Sequence, residues 1–297
     1  MTGDAAVEWL RLRVEAPDPV REALACLLVE WGATGVEEET GAVAVYFVPG
    51  ERDAVEARLG RYARDLDLGA PAVQWSWSVV QGGWEDAWKA FFRPARISPR
   101  LAVCPTWEPW APEDPGVRVV RLDPGRAFGT GTHETTRLCL ALLDEAIGDA
   151  PPEAFLDVGC GSGILSIGAR LLGVPRAVAL DIDLHAAEAT RENARGNGVG
   201  DGVLSVCGDL RSLRGTYPLV AANILYQVLL GLAPVLSARL RPGGLLLLSG
   251  MLVPELPSAA AVYGAAGLEV TREATMGEWG ALVLCRPAGS SGGPREA

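Results

Sequence analysis

The chain has 297 residues, 49% of them hydrophobic, and a net charge of −11. That length fits two domains of ~100–200 residues each. The charge argues against a tight, sequence-independent grip on nucleic acid, which needs clustered lysine and arginine. No apolar run approaches the ~20 residues of a spanning helix, and the start lacks a basic stretch followed by an apolar one. Six scattered cysteines and two histidines offer no clustered metal ligands. The expectation is a soluble, cytoplasmic protein without a metal site, most of whose cysteines are small core residues.

Residues 7–14 (VEWLRLRV) alternate and are rich in strand formers. Residues 18–31 place Val20, Leu24, Leu27, Leu28 and Trp31 at helical spacing. Gly32 and Gly35 end that helix, VEEET reads as a short strand, and Gly41 turns the chain into a second one, AVAVYFV. Residues 51–66 carry Val55, Leu59, Tyr62 and Leu66 at helical spacing, and 72–79 (AVQWSWSV) alternate again. Strand, helix, strand, strand, helix, strand is the split βαβ order of a ferredoxin-like domain, assigned to residues 1–80. Residues 1–70 hold seven basic and fourteen acidic residues, net −7, so most of the negative charge lies here. A small acidic domain without a chemical motif reads as a recognition module. Residues 81–122 read as a connector, in which Trp84, Trp88, Phe91 and Phe92 fall three to four apart, as in a helix seam packed between domains.

From about residue 135 the pattern alternates. Helical spacing covers 135–147, 164–172, 184–197, 225–240 and 255–266. Strand patterns are AFLDV (154–158), AVALD (177–181), VLSVC (203–207), LVAANI (219–224), LLLLS (245–249), LEVTRE (268–273) and ALVLC (281–285). The early strands are continuously apolar, as strands buried on both faces should be. The alternation predicts an α/β domain over 123–287 with a mainly parallel sheet covered by helices, its last two strands an antiparallel edge pair. Residues 288–297 read as a disordered tail.

The strand 154–158 runs into Gly159-Cys160-Gly161-Ser162-Gly163 and then a helix. Such a turn lets a ligand approach the backbone at a helix N-terminus. The dinucleotide fingerprint would need Gly or Ala at position 164, where Ile164 stands. The spacing GxGxG after Asp157 instead resembles the first motif of the seven-stranded S-adenosylmethionine methyltransferases. Asp181, 18 residues past Gly163, is placed to accept from both hydroxyls of a ribose, whereas Asp183 reads as a helix cap. Gly208-Asp209 follows the third strand, where this fold often contacts adenine; a surface turn is the competing reading. Asn223 ends an otherwise apolar strand, and ligands bind at strand ends of open parallel sheets.

LDPGRAFGTGTHETT (122–136), LDVGCGSGILSI (156–167), ALDID (179–183), ANIL (222–225), RPGGLLLLSGML (241–252) and GEWGALVLCR (277–286) together resemble the ribosomal protein L11 methyltransferase family. The connector WEDAWKAFFRP and the front domain extend the resemblance over nearly the whole chain. It implies a seven-stranded Rossmann-like S-adenosylmethionine methyltransferase domain behind the ferredoxin-like one. It also implies methyl transfer from S-adenosylmethionine to lysine side chains and the terminal α-amine of ribosomal protein L11, without a nucleic-acid requirement.

By the same resemblance the loop with Phe128, Thr130 and Gly131 closes over the cofactor's methionine part. It also puts Thr136, Gly159, Asp181 and Asn223 at the cofactor, and the glycine turn and the third strand's end add Gly161, Gly163 and Asp209; the chemistry of amine methylation suggests that Asn223 orients the attacking nitrogen, with no dedicated base. Thr135 and Thr136 also suit helix capping. Glu134 stands where the family usually has proline, and His133 reads as orienting the loop rather than as a base. Asn223-Ile224-Leu225 departs from the Asn/Asp-Pro-Pro-aromatic run of adenine and glutamine methyltransferases, which points away from a planar amide or base. A protein-lysine methyltransferase with another target and an inactive ribosome-associated binding protein are the alternatives. No exposed apolar stripe is evident, so a monomer is expected.

Overall fold

The computed structural model divides into two units, Met1–Phe91 and Phe92–Ala297. It describes residues 9–17, 20–21, 24–25, 27–28, 31–33, 36–39, 41–47, 49–65, 73–80, 93–122 and 133–289.

In the first unit, strands β1 (Trp9–Glu15), β2 (Val36–Glu39), β3 (Ala42–Phe47) and β4 (Gln74–Val80) form one sheet in the order β2-β3-β1-β4. Every neighbouring pair is antiparallel. Helical residues between 20 and 28 join β1 to β2, and helix α1 (Arg52–Asp65) joins β3 to β4. This is the order that the alternating patterns predict. Leu12 and Val14 of β1 point inward onto Val43, Val45, Leu24 and Leu59, while Arg11 and Arg13 point outward, as a period of two demands. The acidic strand is partly neutralised within the sheet. Arg11 pairs with Glu39, Arg13 Nε donates to Glu39 Oε2 at 2.6 Å, and Tyr46 Oη donates to Glu37 Oε2 at 2.9 Å. These hydrogen bonds hold the Glu39 carboxyl below its ordinary pKa, Arg13 contributing most.

The second unit is built on a seven-stranded sheet. Its strands are β8 (Phe155–Val158), β9 (Ala177–Asp181), β10 (Val203–Cys207), β11 (Tyr217–Asn223), β12 (Leu240–Leu252), β13 (Glu269–Met276) and β14 (Trp279–Cys285). Their order is β10-β9-β8-β11-β12-β14-β13. The strands from β10 to β12 run parallel, and β14 is antiparallel to both β12 and β13. Helices α2 (Glu134–Ile147), α3 (Ile164–Leu171) and α4 (Leu184–Gly196) cover one face; α5 (Tyr226–Arg239) and α6 (Leu256–Ala265) cover the other. Leu142 and Ile167 meet Phe155 and Leu247 on the first side. Leu229, Leu236 and Tyr263 meet Leu156, Val220 and Leu248 on the second. Burial on both faces explains the unbroken apolar runs. The strand order reverses between β8 and β11, which opens a crevice at their carboxyl ends.

The segment 81–122 is not simply a connector. From residue 93 it belongs to the second unit: β5 (Ala95–Arg96), β6 (Leu101–Pro105) and β7 (Arg118–Leu122) form a three-stranded sheet. Leu101, Val120 and Leu122 are buried in the core under α2 and α3. Arg100 fixes the segment to the end of α2. Its guanidinium donates to Asp144 Oδ1 at 2.6 Å and to the carbonyls of Gly148 and Asp144 at 2.6 and 2.7 Å. A cation at a helix C-terminus satisfies carbonyls that the helix leaves unpaired. The aromatic seam at Trp84, Trp88, Phe91 and Phe92 lies outside the described residues, as do residues 290–297. Of the cysteines, Cys104, Cys139 and Cys160 are buried, whereas Cys207 is exposed.

Candidate active site

The glycine turn after β8 is shaped by three positive φ angles: 72° at Gly159, 51° at Gly161 and 79° at Gly163. L side chains avoid that region. A Cβ on Gly159 would overlap the Ile224 side chain. Gly159 and Gly161 line the cleft above the strand ends. Gly163 does not. It starts α3, and a Cβ there would sit 2.7 Å from Thr190 Cγ2, so the turn can pack against α4 only with glycine at this position.

Beneath the turn, Asp157 is fully buried. Its Oδ2 accepts from the Ser166 amide at 3.1 Å and from Ser166 Oγ at 2.8 Å. Burial pushes its carboxyl up to about 7, and the nearby Asp181 adds to that; the two Ser166 hydrogen bonds oppose it. Asp157 is therefore a structural tie between β8 and the first turn of α3, below the cleft.

Asp181 ends β9 at the cleft. Its Oδ2 accepts from the Gly161 amide and its Oδ1 from the Asp183 amide, each at 3.0 Å. Each oxygen retains a further lone pair for a donor in the cleft. Asp183 caps α4 through the His185 amide at 2.9 Å, as its position before an apolar-periodic run suggests. Asp209 follows β10 in a surface turn. It caps the 3-10 turn Leu210–Ser212 and pairs with Arg211 at 2.9 Å, and it also lines the cleft. The Arg211 amide and guanidinium hold its carboxyl below the ordinary range.

Asn223 ends β11 beside the glycine turn. Its Nδ2 is 3.5 Å from Thr136 Oγ1, and its Oδ1 is buried with no hydrogen-bond partner among the described residues. Thr136 is completely buried and does not line the cleft. It supports Asn223 from behind, and its neighbour Thr135 lines the cleft. Neither threonine caps α2. The cap is His133, whose Nδ1 accepts from the Thr135 amide at 3.3 Å. Its ring meets Trp279 edge-on, 4.9 Å between centroids. Phe128, Thr130 and Gly131 lie outside the described residues.

These groups converge on a cleft of about 850 Å³. Its mouth carries apolar side chains that the sequence reading did not single out: Ile182 is 82% exposed, Leu225 75% and Val228 46%. Trp279 forms another part of the wall. Little in the sequence marks them: Ile182 follows the last residue of β9 and Leu225 stands two residues past β11, and both read as continuations of apolar runs. The reading of no exposed apolar stripe therefore fails at the cleft itself.

The chain was compared with known proteins. Residues 8–287 match the family described as Ribosomal protein L11 methyltransferase (PrmA). A protein of that name from Pelobacter propionicus is 40% identical, over 94% of this chain and 98% of its own length. One from Methylococcus capsulatus is 43% identical over 80% and 79% of the two chains. The crystal structure of ribosomal protein L11 methylase from Lactobacillus delbrueckii subsp. bulgaricus superposes with a TM-score of 0.61 at 34% identity, covering 66% of this chain and all of that one. The seven-stranded domain with its glycine turn, Asp181 and Asn223 is thus a methyltransferase domain, and the chain belongs to the ribosomal protein L11 methyltransferase family.

Proposed function

We propose that this enzyme binds S-adenosylmethionine in the cleft and transfers its methyl group to amino groups of ribosomal protein L11, on lysine side chains and at the terminal α-amine. The observation that carries the amine reading is Asn223 Oδ1, a buried acceptor without a partner among the described residues. A buried orphan acceptor costs about 1–3 kcal/mol, and an amine N–H entering the cleft would relieve it.

The residues suit the cofactor. Asp181 offers carboxylate lone pairs to a ribose, Gly159 and Gly161 leave the backbone bare, and Ile182 gives an apolar surface for a base. When bound, S-adenosylmethionine supplies a methyl group on a cationic sulfonium, and the protein's part is position and electrostatics. The attacking nitrogen must be neutral, against a reference lysine pKa of ~10.4. Leu225, Val228 and Trp279 make that end of the cleft apolar, which disfavours the ammonium form. Asn223 then orients the free amine, with Thr136 holding its amide group. The acidic front domain is the recognition module in this reading, and the protein acts in the cytoplasm as a monomer without nucleic acid. Among the described residues no helix is long and apolar enough to cross a membrane.

The test is to incubate the enzyme with labelled S-adenosylmethionine and purified L11 and to map the label by mass spectrometry. Label on lysine or the α-amine, lost with Asp181→Ala, is the expected result. Cofactor binding without any labelled L11 would reject the substrate assignment.

A further inference from the structure

Among the described residues of the second unit, no helix covers one face of the sheet's β10 end. The crossover from Cys207, ending β10, to Tyr217, starting β11, spans residues 208–216 and passes over β9 and β8. Parallel crossovers usually take a dozen or more residues and include a helix. This one holds a single 3-10 turn, Leu210–Ser212. The opposite face of β10 is covered by α4, where Ser205 Oγ donates to the Ala187 carbonyl at 2.5 Å. On the bare face Leu204 is 62% exposed. Its register partner Val178, together with Val206, Leu213 and Tyr217, is only partly buried against the core beneath α5. None of these residues lines the catalytic cleft.

Two arginines stand beside this face, in a chain of net charge −11. Arg214 is exposed next to Leu213. Arg239, whose charge acts on Tyr217, has a buried Nε without an acceptor among the described residues. We propose that this face docks an amphipathic helix of a partner protein, apolar along one side and acidic along its borders, in the place where the fold's own crossover helix is missing. Helix-in-groove recognition uses an apolar stripe of this kind. A second copy is disfavoured as the occupant, because an isologous contact would set Arg214 and Arg239 of one copy against those of the other.

The probe is a labelled synthetic helix of about five turns with leucines at i, i+3, i+4 and i+7 and glutamates on both flanks. A counterpart carries lysines on the flanks. The full-length enzyme should bind the glutamate peptide saturably by fluorescence anisotropy and bind the lysine peptide at least about tenfold more weakly. Leu204→Glu should weaken binding by about tenfold or more, because it sets a carboxylate where the partner's leucines would bury an apolar side chain. Arg214→Glu should weaken it too, more at low salt than at high. Methyl transfer by both variants should match the parent, which shows that they fold. No binding, equal binding of the two peptides, or binding unaffected by Leu204→Glu overturns the proposal. So does self-association in sedimentation that Leu204→Glu abolishes, since the face would then belong to a second copy.

Discussion

The Asp181 carboxylate and the Gly161 amide, 20 residues apart, are joined by a hydrogen bond of 3.0 Å. This contact locks the end of β9 to the glycine turn after β8, so one side chain both shapes the turn and faces the cleft. Asp181→Ala removes both roles. Hydrogen bonds to a charged group contribute about 1.5–3 kcal/mol, so S-adenosylmethionine should bind about 10–100-fold more weakly in a calorimetric titration. The change also removes its bonds to the Gly161 and Asp183 amides, so the ligand-free protein should lose about 1–3 kcal/mol of stability. Unchanged cofactor affinity would remove Asp181 from the site.

Gly159→Ala places a Cβ at φ 72° and into the Ile224 side chain. Left-handed backbone costs a non-glycine residue about 1–3 kcal/mol. Ile224 must also move, and it neighbours Asn223. Lower thermal stability and slower methyl transfer should therefore appear together. Gly196→Ala is the control: the residue lies in α4, and nothing stands within 4 Å of its Cβ. A Gly159→Ala enzyme with the parent's melting temperature and rate would contradict this account.

How far the sequence carried can be argued from single residues. Asp181 and Asn223 were legible because each is polar at the end of an apolar run, and buried parallel strands tolerate polarity only where something binds it. Leu101 and Val120 were not. Their strands are five residues long and separated by a proline-rich loop, so period and length gave no strong signal, and Arg100 meets Asp144 44 residues away. The cleft's apolar mouth was missed for a different reason. Ile182 and Leu225 read locally as core residues, and only the topology puts them at strand ends facing outward. Motif position also could not show that Thr136 meets Asn223 or that Gly163 packs against Thr190, because both contacts join residues far apart in sequence.

Asp157 should make stability depend on pH. In the unfolded chain its pKa is ~3.9; in the fold, burial pushes it up to about 7. Between those values the folded protein holds a proton that the unfolded chain has lost. Its contribution to stability is therefore fully present below pH ~4, declines as pH rises, and levels off above about 7, with a slope of at most ~1.4 kcal/mol per pH unit. Asp157→Asn lacks this proton. Urea unfolding of parent and variant at several pH values should show the parent losing stability relative to the variant from pH 5 to 7. A difference that is flat or rises over that window would sink the assignment.

The Arg100–Asp144 pair predicts a strongly non-additive double mutant. Asp144 is 4% exposed and meets Arg100 through both its carboxylate oxygens. Arg100→Met would leave the Asp144 carboxylate buried with only the backbone amide of residue 100 as its donor, at a cost of about 2–4 kcal/mol. Adding Asp144→Leu removes that charge and should restore a large part of the loss. The carbonyls of Asp144 and Gly148 also lose a donor, so recovery should be incomplete. Chemical denaturation of the two single variants and the double variant completes the cycle; additive losses would show that the pair is not coupled.

His133 separates positioning from proton transfer. Its Nδ1 lies 3.3 Å from the Thr135 amide and 2.9 Å from Thr135 Oγ1, so the ring is tied to the start of α2. A general base would contribute about 10²–10⁴-fold to the rate, whereas an N-cap contributes about 1 kcal/mol to the helix. Asn is among the strongest N-cap residues, so His133→Asn should keep the cap and most of kcat. Losing the edge-on contact with Trp279 should raise KM modestly, because that ring lines the cleft. His133→Ala should add a stability loss of about 1 kcal/mol without a new step in the pH–rate profile. A drop in kcat of a hundredfold or more in His133→Asn, with the profile losing its acidic limb, would instead make His133 the base, and Asn223 would then orient an amine that His133 deprotonates.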